Sequence, residues 1–181
     1  SRPATTDPSD QALRINAGTG NDIAVGGGGD DVIFGNLGAD ILGGNEGNDT
    51  IFGGFGRDVI AVDDRFTDTP DTVDGGGNND ALVGDNGDTF TGGKGVDGFA
   101  NVLRDVTSDP IIVTDFDPAA EKLEVVIPKD SAAAAPAFSK VASDDGKDTV
   151  VRLGTSQVFV LKGVAVADVK LNEIILTPAD L

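Results

Sequence analysis

The chain has 181 residues, 31 acidic against 13 basic, for a formal net charge of -18; 39% of it is apolar, 5% aromatic, and it has neither Cys nor His. That length builds one full domain or two small ones around an aliphatic core. The charge repels nucleic acid and anionic membrane surfaces. The missing Cys and His exclude disulfides, thiolate metal sites, the usual zinc ligands and the usual general base, leaving oxygen as the only ligand type.

Residues 1–16 begin SRPATTDPSD, without Met, and read as a linker, which sets the expectation of a parent domain on the N-terminal side. No basic-then-apolar leader and no run of 18 apolar residues occurs, so neither a cleavable signal peptide nor a membrane-spanning helix is expected. Glycine supplies 26 residues and Pro only 8, a glycine excess with no collagen period and no proline-rich linker to explain it.

From Ala17 to Ala61 the sequence repeats every nine residues without a gap: AGTGNDIAV, GGGGDDVIF, GNLGADILG, GNEGNDTIF, GGFGRDVIA. Asp22, Asp31, Asp40, Asp49 and Asp58 hold the sixth position, and Ala24, Ile33, Leu42, Ile51 and Ile60 the eighth. A loop is expected over about 62–70. A looser run covers 71–100, with Asp71, Asp80, Asp88 and Asp97 followed two residues on by Val73, Leu82, Phe90 and Phe99; the unit around Asp88 is one residue short.

Each unit reads as a glycine-rich half-turn and a short strand with its eighth residue turned inward. Two units complete a coil of about 18 residues at the ~4.8 Å strand spacing, so repeats stack in alternation. Asp22, Asp40 and Asp58 form one ladder and Asp31 and Asp49 a second, with the looser run extending both. Carboxylates about 5 Å apart repel by roughly 3 kcal/mol per pair at an effective dielectric of 20. Several such pairs exceed the ~5–15 kcal/mol that holds a domain together, so the coil needs a cation between its turns. Calcium, which takes 6–8 oxygens in flexible geometry, suits such slots better than magnesium. Aspartates that merely cap turns would not need a fixed period.

GGGGDDVIF and GNEGNDTIF resemble the RTX (repeat-in-toxin) nonapeptide GGxGxDxUx, U being a large apolar residue. The resemblance implies an all-β, right-handed parallel β-roll that binds several calcium ions. Their ligands would be Asp22, Asp31, Asp40, Asp49, Asp58, Asp71, Asp80, Asp88 and Asp97. Turn carbonyls near Gly18, Gly20, Gly27, Gly29, Asn36, Gly38, Asn45, Gly47, Gly54, Gly56, Gly76, Asn78, Gly93 and Gly95 would complete the sites.

Past Asn101 the glycine period stops, and β-like segments follow at 111–116, 122–127, 148–153, 158–163 and 169–176. They read as an antiparallel, sandwich-like cap over 101–181, with a hairpin turn at 144–147 and a loop at 131–138. The cap would cover the open end of the roll, where edge strands otherwise associate. Asp115 and Asp117 flank a strand end and read as solvated.

TDFDPAAEKLEV, LKGV and NEIILTPADL are similar to the C-terminal regions of secreted members of that family, which implies export through a type I (ABC) secretion system. Glu173, Ile174, Ile175 and Leu176 are the candidate signal. No nucleophile–base pair or phosphate loop is present, so catalysis is expected in the parent domain. The expected role is a calcium-dependent folding and export module of an extracellular bacterial protein. A polysaccharide- or surface-binding module, as on an alginate epimerase or an adhesin, is the alternative, with Phe34 and Phe52 as an outward stripe.

Overall fold

The computed structural model describes residues 11–62, 69–85, 87–103, 109–128 and 137–179. Among these the chain is all strand apart from one short 3-10 turn, Leu171–Glu173. Ten strands carry the repeats: β1 Arg14–Thr19, β2 Ile23–Gly28, β3 Val32–Leu37, β4 Ile41–Glu46, β5 Thr50–Phe55, β6 Val59–Ala61, β7 Thr72–Gly77, β8 Ala81–Gly84, β9 Thr89–Lys94 and β10 Gly98–Val102. Six follow: β11 Ile111–Val113, β12 Lys122–Pro128, β13 Phe138–Ala142, β14 Thr149–Leu153, β15 Ser156–Leu161 and β16 Ile175–Ala179.

From β1 to β13 successive strands alternate between two sheets, ordered β1-β3-β5-β7-β9-β11-β15-β14-β13 and β16-β12-β10-β8-β6-β4-β2. The repeat strands pair in parallel with the strand two places on, for example Ile33↔Ile51 and Leu42↔Ile60, as a coil of two nonapeptides requires. The molecule is therefore the expected parallel β-solenoid. Between its sheets lie the eighth-position residues Ala24, Ile33, Leu42, Ile51, Ile60, Val73, Leu82, Phe90 and Phe99, all buried. Burying each Val, Leu, Ile or Phe of the set contributes about 1.5–3 kcal/mol, and the period-two pleat keeps the set inside in every coil.

The four-residue excess between Asp58 and Asp71 leaves the register intact: Thr50 pairs with Thr72, and Val59 with Ala81. The loop expected at 62–70 falls largely on residues 63–68, outside the described residues, as does most of the segment 131–138. The roll itself starts inside the stretch read as linker, since Arg14, Ile15 and Asn16 pair with Val32, Ile33 and Phe34. An incomplete first unit without its glycine turn gives no periodic signal.

Toward the C-terminus the antiparallel part consists of β13, β14 and β15. The turn between β13 and β14 runs through Asp144–Lys147, with Gly146 at φ 73°. Parallel stacking continues past the glycine repeats: β9 pairs with β11 and β11 with β15, while β10 pairs with β12 and β12 with β16. Leu123 then aligns with Phe99 in the core. The segment 169–176 is not one strand, because Leu171–Glu173 makes a 3-10 turn and β16 begins only at Ile175. β16 includes Pro178, which an edge strand admits because no ladder partner needs its missing N–H.

Candidate metal centre

The strands deliver every sixth-position aspartate to the point where a glycine turn enters the next strand. At the turns, Gly18, Gly20, Gly27, Gly29, Gly38, Gly47, Gly54, Gly56, Gly76, Gly93 and Gly95 have positive φ, joined by Asn36, Asn45 and Asn78 at 76°, 69° and 84°. These are the residues whose carbonyls the sequence nominated. Asn is the side chain that tolerates this region best after glycine. At Gly38, with φ 136°, an added Cβ would overlap the Gly20 carbonyl oxygen of the neighbouring coil. Close stacking of the turns therefore forbids a side chain there.

The aspartates form two ladders, one at each edge of the roll. In the first, the N–H groups of Asp22, Asp40, Asp58 and Asp80 donate to the Oδ1 atoms of Asp40, Asp58, Asp80 and Asp97, each at 2.8 Å. In the second, the N–H groups of Leu13, Asp31, Asp49 and Asp71 donate to Oδ1 of Asp31, Asp49, Asp71 and Asp88 at 2.7, 2.7, 2.6 and 3.0 Å. The aspartates from Asp22 to Asp88 also accept through their main chains; the Asp58 carbonyl takes the Ala81 N–H at 2.9 Å. One residue thus fixes the spacing of successive coils through both side chain and backbone.

All nine aspartates are buried. The Oδ2 atoms of Asp40, Asp58, Asp80 and Asp97 are buried and accept no hydrogen bond among the described residues. They lie under Gly35, Gly53, Gly75 and Gly92, where an added Cβ would fall 2.6–2.7 Å from the oxygen. The same space under Gly35, Gly53 and Gly75 is bordered by the carbonyl oxygens of Gly53, Gly75 and Gly92 in the following coil. A buried carboxylate oxygen without a donor is strongly disfavoured unless a cation or proton meets it.

Burial raises the Asp58 carboxyl above the usual range. Asp80 is pushed up to about 7, by burial first and then by the charges of Asp58, Asp97 and Asp74. The donors are hard oxygens in a flexible, glycine-built frame, so the residues fit a calcium ion. No three acidic side chains converge among the described residues, so carbonyls must supply much of any coordination shell.

Two acidic residues that the glycine period does not mark join this architecture. Glu121 precedes Lys122, which pairs with Gly98, so it occupies the ladder position of Asp97 one coil on. Its Oε1 accepts the Asp97 N–H at 3.4 Å and its Oε2 the Asp117 N–H at 2.8 Å. Burial first, then Asp97 and Asp115, push Glu121 up to about 7. Asp115 is exposed, as expected, and also holds the Gly92 and Gly93 N–H groups at 2.9 and 2.8 Å. Its signal in the sequence was only the DFDP strand end. Asp117 Oδ1 accepts the Ala119 N–H at 2.9 Å.

At the far end of the chain, Glu173 is exposed and bonds Lys170 at 3.2 Å, whereas Ile174 and Leu176 pack against the core. Ile175 is exposed.

A parallel β-solenoid whose glycine turns enclose ladders of buried aspartates is the architecture of a calcium-binding repeat protein. Residues 14–42, 38–64 and 67–90, less than half of the chain, match the family described as RTX calcium-binding nonapeptide repeat (4 copies). No curated protein matches the chain. Among solved structures it is similar to the solution structure of the AlgE6R3 subunit of the Mannuronan C5-epimerase from Azotobacter vinelandii, at 21% identity and a TM-score of 0.37, covering 92% of this chain and 80% of that one. It is also similar to the extracellular lipase LipA of Serratia marcescens, at 19% identity and a TM-score of 0.30; 87% of this chain is covered, but only 38% of the lipase.

Proposed function

We propose that this chain is a calcium-triggered folding module that supports type I secretion and stability of a larger extracellular bacterial protein, with the catalytic or adhesive body in a parent domain on its N-terminal side. The observation that carries the reading is the row of buried, undonated Oδ2 atoms on Asp40, Asp58, Asp80 and Asp97 in a chain of net charge -18. The proposed ligands are the nine ladder aspartates and the carbonyls of the positive-φ turn residues. Bound calcium supplies the positive charge that lets successive carboxylates share a channel.

The trigger is mass action: a ligand that binds only the folded state stabilises it by RT ln(1 + [L]/Kd). Extracellular calcium modules bind at roughly 10⁻⁴–10⁻³ M, so a calcium-poor cytosol leaves such a chain unfolded and export-competent. Glu173, Ile174, Ile175 and Leu176 remain the proposed signal. Because Ile174 and Leu176 pack against the core once folded, the segment would be read before folding.

The test is far-UV circular dichroism in chelator followed by calcium titration. A coil spectrum converting cooperatively to a β spectrum is expected, and an identical β spectrum at both ends of the titration would overturn the reading.

One surface feature favours a second role, in binding a polysaccharide or cell surface. Phe34 and Phe52 stack with centroids 5.1 Å apart, Arg14 lies 4.6 Å above the Phe34 ring, and the neighbouring Phe55 is 69% exposed. Aromatic faces beside a cation suit an anionic sugar polymer. Retention of the calcium-loaded chain on immobilised alginate, lost in Phe52→Ser, is the expected result.

A further inference from the structure

The two ladders end differently. In the ladder of Asp31, Asp49, Asp71 and Asp88, the next coil pairs Ile112 with Thr89 and so brings Ile111 to the place of an aspartate, where it is fully buried. Ile111 offers no carboxylate at that position, and among the described residues the ladder stops there. In the ladder of Asp22 to Asp97, the next coil brings Glu121, itself buried, to the same place.

We propose that the space between Asp97 and Glu121 is an additional calcium site, closed by a turn outside the nonapeptide repeats. The inference rests on the reading that the repeat ladders hold calcium, and extends it to residues no glycine period marks. Asp97 is 2% exposed, and its Oδ2 has no hydrogen-bond donor. That oxygen lies under Gly92, whose Cβ position is also bordered by the Phe99 ring edge. A second charged ligand for an ion at that oxygen has to come from the following coil.

Glu121 supplies the second carboxylate. It reaches one methylene further than Asp, and its bond to the Asp97 N–H is lengthened to 3.4 Å from the 2.8 Å of the four preceding rungs. That oxygen, Oε1, is the loosely held one and can tilt toward an ion while Oε2 stays on the Asp117 N–H at 2.8 Å, whereas the rung oxygens of the repeats are held tightly by their amides. Asp115 positions the site without entering it, because both its oxygens are held by the Gly92 and Gly93 N–H groups. That clamp ties the turn before Asp97 to the turn that carries Glu121. Asp97 Oδ2, the Glu121 carboxylate and carbonyls of the 92–97 turn form an all-oxygen set of the kind calcium takes.

The experiment is calcium binding to the full chain by calorimetry, comparing it with Glu121→Gln, Glu121→Asp and Asp58→Asn. Glu121→Gln keeps the size and the amide acceptor but removes the charge, and it is expected to bind one equivalent fewer while Asp58→Asn still reports loss in the repeats. Glu121→Asp restores the rung geometry of the repeats and is expected to keep the full stoichiometry, which separates a lost ligand from a damaged fold. The amide resonances of Asp97 and Asp117 are expected to shift with calcium in the parent chain and not in Glu121→Gln. Unchanged stoichiometry and affinity in Glu121→Gln, alongside a loss in Asp58→Asn, would overturn this site and leave the repeat reading standing. No calcium uptake by the parent chain would overturn both.

Discussion

The coils from β1 to β10 and those formed by β11, β12, β15 and β16 stack in the same parallel register on the same core, yet they are held apart and together by different means. In the repeats, glycine turns lie directly on one another, and burial raises the carboxyls of Asp58 and Asp80 between them above the usual range. In the β14–β15 part, by contrast, a carboxylate is neutralised by the chain itself. Asp148 bonds Lys162 Nζ at 2.5 Å and the Gly163 N–H at 2.9 Å, and the Lys162 contact holds its carboxyl below the usual range. Parallel stacking therefore needs only strand pairing and an inward apolar residue; the dependence on a cation comes from how the turns are built.

Chelation breaks the comparison most sharply. Native-state hydrogen exchange in EDTA is expected to show loss of protection throughout the glycine coils. The β13–β14–β15 sheet, anchored by Val151, Val158, Phe159 and Leu161 in the core, keeps more of it. Equal loss in both regions would mean that the cap has no stability apart from the ions.

A pair of glycine substitutions comes next. Gly56 has φ 144°, and a Cβ there would overlap the Gly38 carbonyl oxygen, whereas Gly146 has φ 73° with open space around it. Left-handed backbone costs a non-glycine residue about 1–2 kcal/mol. Gly146→Ala should lower stability by that amount in urea titrations of the calcium-loaded chain. Gly56→Ala adds an overlap with backbone that cannot move aside, for a total of about 3–4 kcal/mol. Similar midpoints for the two would show that the turns do not stack closely.

The smallest effect expected is that of pH on the ion-free chain. Asp80 and Glu121 stand at about 7 in the fold against 3.8 and 4.5 as free side chains. With the folded values raised, protonation favours the fold, so this stabilisation is complete below about pH 4 and is lost as pH rises through 7. In EDTA, circular dichroism should show more β-structure at pH 5 than at pH 8, while calcium affinity falls over the same acidification because protons compete for the same oxygens. More β-structure at the alkaline end would contradict the burial of these groups.

The sequence by itself determined the coil. A nine-residue period with aspartate sixth and an apolar residue eighth fixes which side chains enter the core and which carboxylates align, because strand pleat and turn geometry are local and repeat with the chain. The turn residues it nominated for their carbonyls, Asn36, Asn45 and Asn78 among them, have positive φ in the structure, a backbone few side chains tolerate. Only the tertiary structure decided that Arg14–Asn16 already belongs to the roll, that the stack outlasts the glycines, and that Glu121 and Asp115 meet the turn of Asp97. Those placements depend on pairing across coils 18 to 24 residues apart, where insertions of any length are absorbed in the turns. A carboxylate can then take a ladder position that no spacing along the chain announces.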